Sequence, residues 1–274
     1  IIKDEYLKLK GWEGDRKRRK AVDNAFTTVI GVIGDTAPNS VSRLDVHELV
    51  KTLLDSGLKT ASVKRRLAVI RAAINYVSRM QEAQLDNPFA NFDIPNLFED
   101  SNERQDFTQG QLALVREKLR TANKYNEVDG IIGLLVDTGM RVSEVVGLQS
   151  NDIVLDTEIP HLRLHRNTIR RLKTKNSQRL IPLVGASLLA ARKLAENTTG
   201  AYLIPRYIDE ARGELKNDNA SSAINKRLKG WLGDDAPTAH SFRHTISTRL
   251  RNVGCPKDIR EELGGWAKSI SDRY

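Results

Sequence analysis

The sequence is poor in the residues from which most redox, metal and nucleotide sites are built. Cys255 is the only cysteine among 274 residues. An intrachain disulfide is thereby excluded, and a reducing compartment such as the cytoplasm is the expected setting. Cys255 lies between Gly254 and Pro256, a turn context that suits a small packed side chain better than a nucleophile. No apolar run approaches the ~18 residues of a membrane helix, so no membrane partner is expected. No secretory signal pattern opens the chain. It begins on Ile1 rather than Met, as expected for part of a longer protein. There is no Gly-rich phosphate loop, no Cys/His metal spacing, no G-x-S-x-G and no tight carboxylate cluster to hold Mg²⁺. His161 and His165 share one face of a strand-like run. They lack a third ligand, so no metal is assigned to them, and no cofactor is expected.

What the chain has in excess is positive charge, a formal net +9. A folded chain this basic points to a polyanion, with nucleic acid as the first candidate. The plainer alternative is a basic surface with no special partner. The length favours two domains over one. With 39% apolar and 29% charged residues, the chain is able to bury real cores and remain soluble.

Residues 1–86 read as all-helical. Arg16, Lys17, Arg18, Arg19 and Lys20 form a basic cluster that opens a helix running to about residue 32. Asp45 and Glu48 have capping-box spacing, followed by the stripe Val46, Leu49, Val50, Leu53 and Leu54, with Gly57 as the stop. A longer helix is expected over residues 62–83, with Val63, Leu67, Ile70, Ile74 and Val77 as its seam. Lys64, Arg65, Arg66, Arg71 and Arg79 cover the rest of it. A phosphate-facing role and simple solvation are both open for these cations.

Residues 87–106 hold Pro88, Pro95 and several Asn and Asp residues without periodicity, and read as a linker. The second domain is expected over 107–274. Thr108 and Gln111 cap its first helix. Residues 128–136 are apolar on nearly all sides, as in a central buried helix. It ends at Thr138-Gly139, and a short helix then carries Arg141, Glu144 and Val145. Residues 152–155, 161–165 and 179–183 form three short strand-like runs, and Pro182 argues for an edge or strand end. Helices resume over 186–197, 221–231, 239–253 and 257–263. The expected fold class is mainly α with a small antiparallel β-sheet, as a helical domain plus an α+β domain.

The candidate chemistry is a basic constellation. Arg141, in T-G-M-R-V-S-E (138–144), sits at a helix start, where backbone N–H groups also favour anions. Glu144 shares its face, and either holds a neighbouring group in place or simply pairs with an arginine. His240 and Arg243 share a face at i, i+3, a spacing common by chance. Trp266 in L-G-G-W and the terminal Tyr274 complete the set.

T-G-M-R-V-S-E-V, the run K-T-K-N-S-Q-R-L-I-P-L (173–183), H-S-F-R-H (240–244), L-G-G-W and the final tyrosine occur in order and with similar spacing. In this the chain resembles the tyrosine recombinases, the phage integrase family. The match covers about residues 108–274, and the basic helical part resembles the family's core-binding domain. The resemblance implies a C-shaped clamp on duplex DNA that cuts and rejoins strands without metal or ATP. Tyr274 would attack phosphorus to give a 3′-phosphotyrosyl bond and a free 5′-hydroxyl. Arg141 and Arg243 would neutralise the non-bridging oxygens. His240 would handle the proton and contact the phosphate. Trp266, where the family has His or Trp, has an indole N–H that donates but cannot act as a base. Lys173 or Lys175 would protonate the leaving oxygen; Lys173 fits the family's hairpin pattern better, Lys175 lies nearer the turn, and the other remains a DNA-contacting candidate. Glu144 completes the set.

Two departures stand out. The interval from Trp266 to Tyr274 is one residue shorter than is usual in the family. The chain also ends on the tyrosine, where members usually continue into a segment that docks on a neighbouring subunit. The resemblance implies a homo-oligomer on DNA (a dimer per site, a tetramer in the synapse), DNA-bending accessory proteins, and a bacterial or phage-host cytoplasm. It implies a site-specific recombinase or integrase of a phage or other mobile element. Alternatives are a type IB topoisomerase-like enzyme and a non-catalytic DNA-binding protein with the same fold.

Overall fold

The computed structural model describes residues 1–83, 85–100, 105–172 and 177–266. The chain divides into two compact units, Ile1–Glu103 and Arg104–Tyr274, each with its own apolar core. Among the described residues no helix is long and apolar enough to cross a membrane.

The first unit consists of α1 (Ile2–Leu9), α2 (Arg16–Ile33), α3 (Arg43–Asp55) and α4 (Thr60–Met80). The whole expected seam of α4 is buried, and each such side chain removed from water stabilises by about 1.5–3 kcal/mol. It packs against α1, α2 and α3. The start of α3 differs from the sequence reading. Ser42 Oγ accepts the Asp45 N–H at 3.2 Å and the Asp45 carboxylate accepts the Ser42 N–H at 2.8 Å. The capping box is therefore Ser42 with Asp45, one turn before Asp45 with Glu48, because a carboxylate at the third helical position reaches back to the cap. Gly57 follows α3 with φ of 84°, the left-handed conformation that ends helices.

Residues 87–106, expected as a linker, pack at both ends. Phe89 and Ile94 enter the first unit's core, and the Asp100 carboxylate accepts the Thr60 N–H at 2.6 Å. Asp106 accepts from Thr248 Oγ1 at 2.7 Å within the second unit, and the Phe107 N–H donates to Thr245 Oγ1 at 2.9 Å. The Asn and Asp richness that suggested a linker supplies turns, with Asn91 and Asn96 at positive φ.

The second unit contains α5 (Gln109–Arg120), α6 (Glu127–Thr138), α7 (Val142–Val146), β1 (Ile153–Val154), β2 (His161–Leu164), β3 (Arg179–Pro182), α8 (Gly185–Asn197), β4 (Ile208–Asp209), β5 (Glu214–Leu215), α9 (Asn217–Leu232), α10 (Ser241–Asn252) and α11 (Lys257–Gly264). The fold class is thus mainly α with a small antiparallel sheet. The expected Thr108–Gln111 capping box is present. Helix α6 is central, and its residues from Val128 to Val136 are all buried. It packs closely on α8: a Cβ added to Gly133 would lie 2.7 Å from the Ala190 Cβ. The three expected strands form an antiparallel meander in the order β1-β2-β3, with Leu162 opposite Ile181. Pro182 ends β3, an edge strand, where its missing N–H costs no ladder bond. The β4–β5 hairpin was not foreseen, because strands of two residues each are too short to show a period.

Candidate active site

The site begins where α6 stops. Gly139 caps α6 in the left-handed conformation at φ 61°, and a Cβ there would meet the Ile246 Cβ at 3.1 Å. This glycine lets the chain reverse beside α10 and present Arg141 as the N-cap of α7. Glu144, one turn on, reaches back to accept the Arg141 N–H at 3.0 Å, and its other oxygen accepts from Arg141 Nη1. Arg141 and Glu144 therefore share a face as the spacing predicted.

Arg243 comes from the first turn of α10 and is 5% exposed. Its Nη1 donates to the Gly139 carbonyl at 3.0 Å, which ties α10 to the corner that carries Arg141. Its guanidinium lies 4.8 Å from the centroid of the Trp266 ring, within cation–π range. Trp266 reaches it because of the two glycines before it. A Cβ on Gly264 would lie 1.9 Å from the Trp266 ring, and Gly265 is left-handed at φ 59°. The L-G-G-W motif thus folds the indole back over its own helix end.

Arg179, at the inward-facing start of β3, was not singled out in the sequence. It is 8% exposed and donates through Nη2 to Glu144 Oε2 at 3.1 Å. Ser177, fully buried, places its hydroxyl 3.3 Å from Arg141 Nη1. The available signal was period-two parity. Arg179 shares the buried face with Ile181, while Leu180 is 60% exposed.

Two guanidinium groups, those of Arg141 and Arg179, therefore hold the Glu144 carboxylate. Burial alone would push the Glu144 carboxyl up, but Arg179, the Arg141 N–H and the Arg141 charge together hold it below the usual range. Burial and then the charge of Arg141 lower Arg243 to about 10. Among the described residues, Nη2 of Arg243 is buried without a hydrogen-bond partner. A buried donor in that state is costly unless an acceptor arrives, and an anion supplies one.

His240 is the N-cap of α10, one turn before Arg243, and its exposed ring packs edge-to-face on His244 at 5.1 Å. Lys173, Lys175 and Tyr274 lie outside the described residues. Arg16, Lys17, Arg18, Arg19 and Lys20 are exposed along the first turns of α2. Lys64, Arg65 and Arg71 are exposed on α4, and Arg66 is half-buried there. These two helices pack on each other. Of the weak metal candidates, His165 places Nδ1 3.2 Å from Asp152 Oδ1 and His161 places Nδ1 2.9 Å from the Ile159 carbonyl. Cys255 is half-buried at the end of α10, as a packed residue would be.

Arg141, Arg179 and Arg243 thus converge at the α6–α7 corner beside the three-stranded meander, an arrangement whose charge suits an anion. The model of the phage integrase family matches residues 107–273. The chain is 30% identical over 254 residues to tyrosine recombinase XerC of Herpetosiphon aurantiacus, covering 85% of this chain and 74% of that protein. In fold it is similar to the Tn1549 transposon integrase solved with transposon right-end DNA (TM-score 0.71, 19% identity, 99% of this chain and 96% of that one). It is also similar to a lambda integrase tetramer solved on a Holliday junction (TM-score 0.66, 16% identity, 98% of this chain and 77% of that one). The chain belongs to the phage integrase family, the tyrosine recombinases, which are enzymes that cleave and rejoin DNA.

Proposed function

We propose that the chain is a site-specific recombinase that integrates or excises a phage or other mobile element through a 3′-phosphotyrosyl intermediate. The observation that carries this reading is the Arg141–Glu144–Arg243 pocket, with the buried Nη2 of Arg243 lacking an acceptor among the described residues. A scissile phosphate suits this cluster in charge and in hydrogen-bonding need. Arg141 and Arg243 bind its non-bridging oxygens and offset the negative charge that builds in the transition state. Glu144 orients Arg141. His240, on the same helix start as Arg243, contacts the phosphate and handles the proton. Trp266 donates its indole N–H. Tyr274 is the nucleophile; its unperturbed pKa of ~10 means that it needs this cationic surrounding to lose its proton. Lys173 or Lys175 protonates the leaving 5′-oxygen. The bond energy is kept in the phosphotyrosine, so a 5′-hydroxyl from another strand reverses the step.

The first unit serves as the core-type DNA-binding domain through its local basic clusters on α2 and α4, with Arg16, Lys17, Arg18, Arg19, Lys20, Lys64, Arg65, Arg66 and Arg71 as phosphate contacts, and the two units close round duplex DNA as a clamp. A dimer occupies each site and a tetramer forms the synapse. The DNA-bound, tetrameric lambda integrase and the transposon integrase support the oligomer and the mobile-element reading. DNA-bending accessory proteins and a bacterial cytoplasmic setting belong to the same proposal. The test is strand exchange between two DNA molecules that carry the same site. Joint products are expected; relaxation of supercoils without them would overturn the recombinase reading in favour of a topoisomerase-like one.

A further inference from the structure

We propose that Arg179 is a positioning residue that sets the pocket by joining three chain segments. The proposal rests on the recombinase reading above. The side-chain guanidinium is 2% exposed, and each of its nitrogens serves a different segment. Nη2 donates to Glu144 Oε2 on α7 at 3.1 Å. Nη1 donates to the Ser177 carbonyl at 3.0 Å, and Nε donates to the Leu263 carbonyl near the end of α11 at 2.9 Å. Leu263 leads directly into the two glycines and Trp266.

Two of the three acceptors are main-chain carbonyls, so Arg179 fixes backbone, not only side chains. A closed ring results. Arg179 bonds Glu144, Glu144 bonds Arg141, and Arg141 Nη1 reaches the Ser177 hydroxyl. The Ser177 carbonyl then returns to Arg179. Gly265 leaves room for the hub, since a Cβ there would lie 2.7 Å from Arg179 Nη1. A strand residue with a purely packing role would be apolar at this position, as Ile181 is on the same buried face. Lysine offers a point charge without the planar fork, so it meets Glu144 without holding both carbonyls.

The test uses the full chain on a nicked suicide duplex in single turnover. Wild type is expected to form a covalent adduct that Tyr274→Phe does not; its absence in wild type overturns the recombinase reading and this proposal with it. With that adduct in hand, and below its lowered melting temperature, since two carbonyls lose their donor, Arg179→Lys is expected to bind DNA within about twofold of wild type yet to form adduct about 100-fold more slowly. Arg179→Gln is expected to lose rate and also to move the acid limb of the pH–rate profile upward, because Glu144 then loses the Arg179 charge and keeps that of Arg141. Arg179→Lys is expected to restore that limb without restoring the rate. Ser177→Ala breaks the ring at its hydroxyl alone and is expected to slow adduct formation about tenfold, which keeps the test decisive if the position-179 variants do not fold. Adduct formation by Arg179→Lys within about twofold of wild type, or a loss matched by an equal loss of DNA affinity, overturns the proposal. So does an unchanged rate in Ser177→Ala.

Discussion

Replacing Glu144 by Gln removes the carboxylate that pairs with the Arg141 and Arg179 guanidinium groups. The side chain is 4% exposed and that of Arg179 is 2% exposed, whereas Arg141 is 24% exposed. Breaking a buried ion pair by removing one partner costs about 3–5 kcal/mol. The partial hydration of Arg141 and the acceptor oxygen that Gln retains place this site near the lower end, about 3 kcal/mol. For a unit of this size that lowers the melting temperature by about 6–12 °C. The pH dependence follows from the depressed Glu144 pKa. The stabilisation is complete above the ordinary glutamate value of about 4.3 and is lost as pH falls through the lower folded value. Thermal melts of wild type and Glu144→Gln in low salt are expected to show the full gap at pH near 7 and a closing gap in acid. Sulfate is expected to stabilise the variant more than wild type, since it replaces the missing negative charge. A variant that melts with wild type at neutral pH, or a gap unchanged in acid, would refute the reasoning.

Asp152→Asn is expected to cost about 3–5 kcal/mol by denaturant unfolding, because it strands Arg170, 1% exposed and 2.8 Å from the carboxylate. Replacing both partners with apolar residues of similar volume is expected to cost much less; a double variant worse than the single would contradict this. Gly264→Ala drives a methyl into the Trp266 ring, and overpacking of about 1–3 kcal/mol is expected in thermal melts, with a changed indole fluorescence. An unchanged melt and spectrum would show that Trp266 does not lie back over the helix. Lys64→Ala combined with Arg65→Ala is expected to reduce the slope of log affinity against log salt by about 2. An unaltered slope would remove these two cations from the DNA interface.

Much of the fold was legible because helices over this length carry a strong period. The α4 seam and the apolar circumference of α6 needed nothing beyond spacing. The first linker boundary was obscured because Phe89 and Ile94 lie among turn-forming residues without a period, and only tertiary packing makes them core. In the site, Arg141, Glu144 and Arg243 were visible as cations and a carboxylate at helix starts, yet their convergence depends on the Gly139 reversal and the Gly139 carbonyl that holds Arg243. Arg179 escaped because a buried arginine in a short strand reads as a solvent-facing one unless the parity set by Ile181 is imposed. The Arg170–Asp152 pair escaped for a similar reason: its partners are 18 residues apart with the β1–β2 reversal between them.

The central claim is that this arginine pocket serves a tyrosine nucleophile at residue 274. A nicked suicide duplex carrying the recombination site, incubated with the full-length protein and resolved under denaturing conditions, tests it directly. Wild type is expected to yield a covalent protein–DNA adduct linked to the 3′ side of the break, resistant to metal chelation, and Tyr274→Phe none. An adduct that persists in Tyr274→Phe, or cleavage that leaves no covalent link in wild type, would contradict the account.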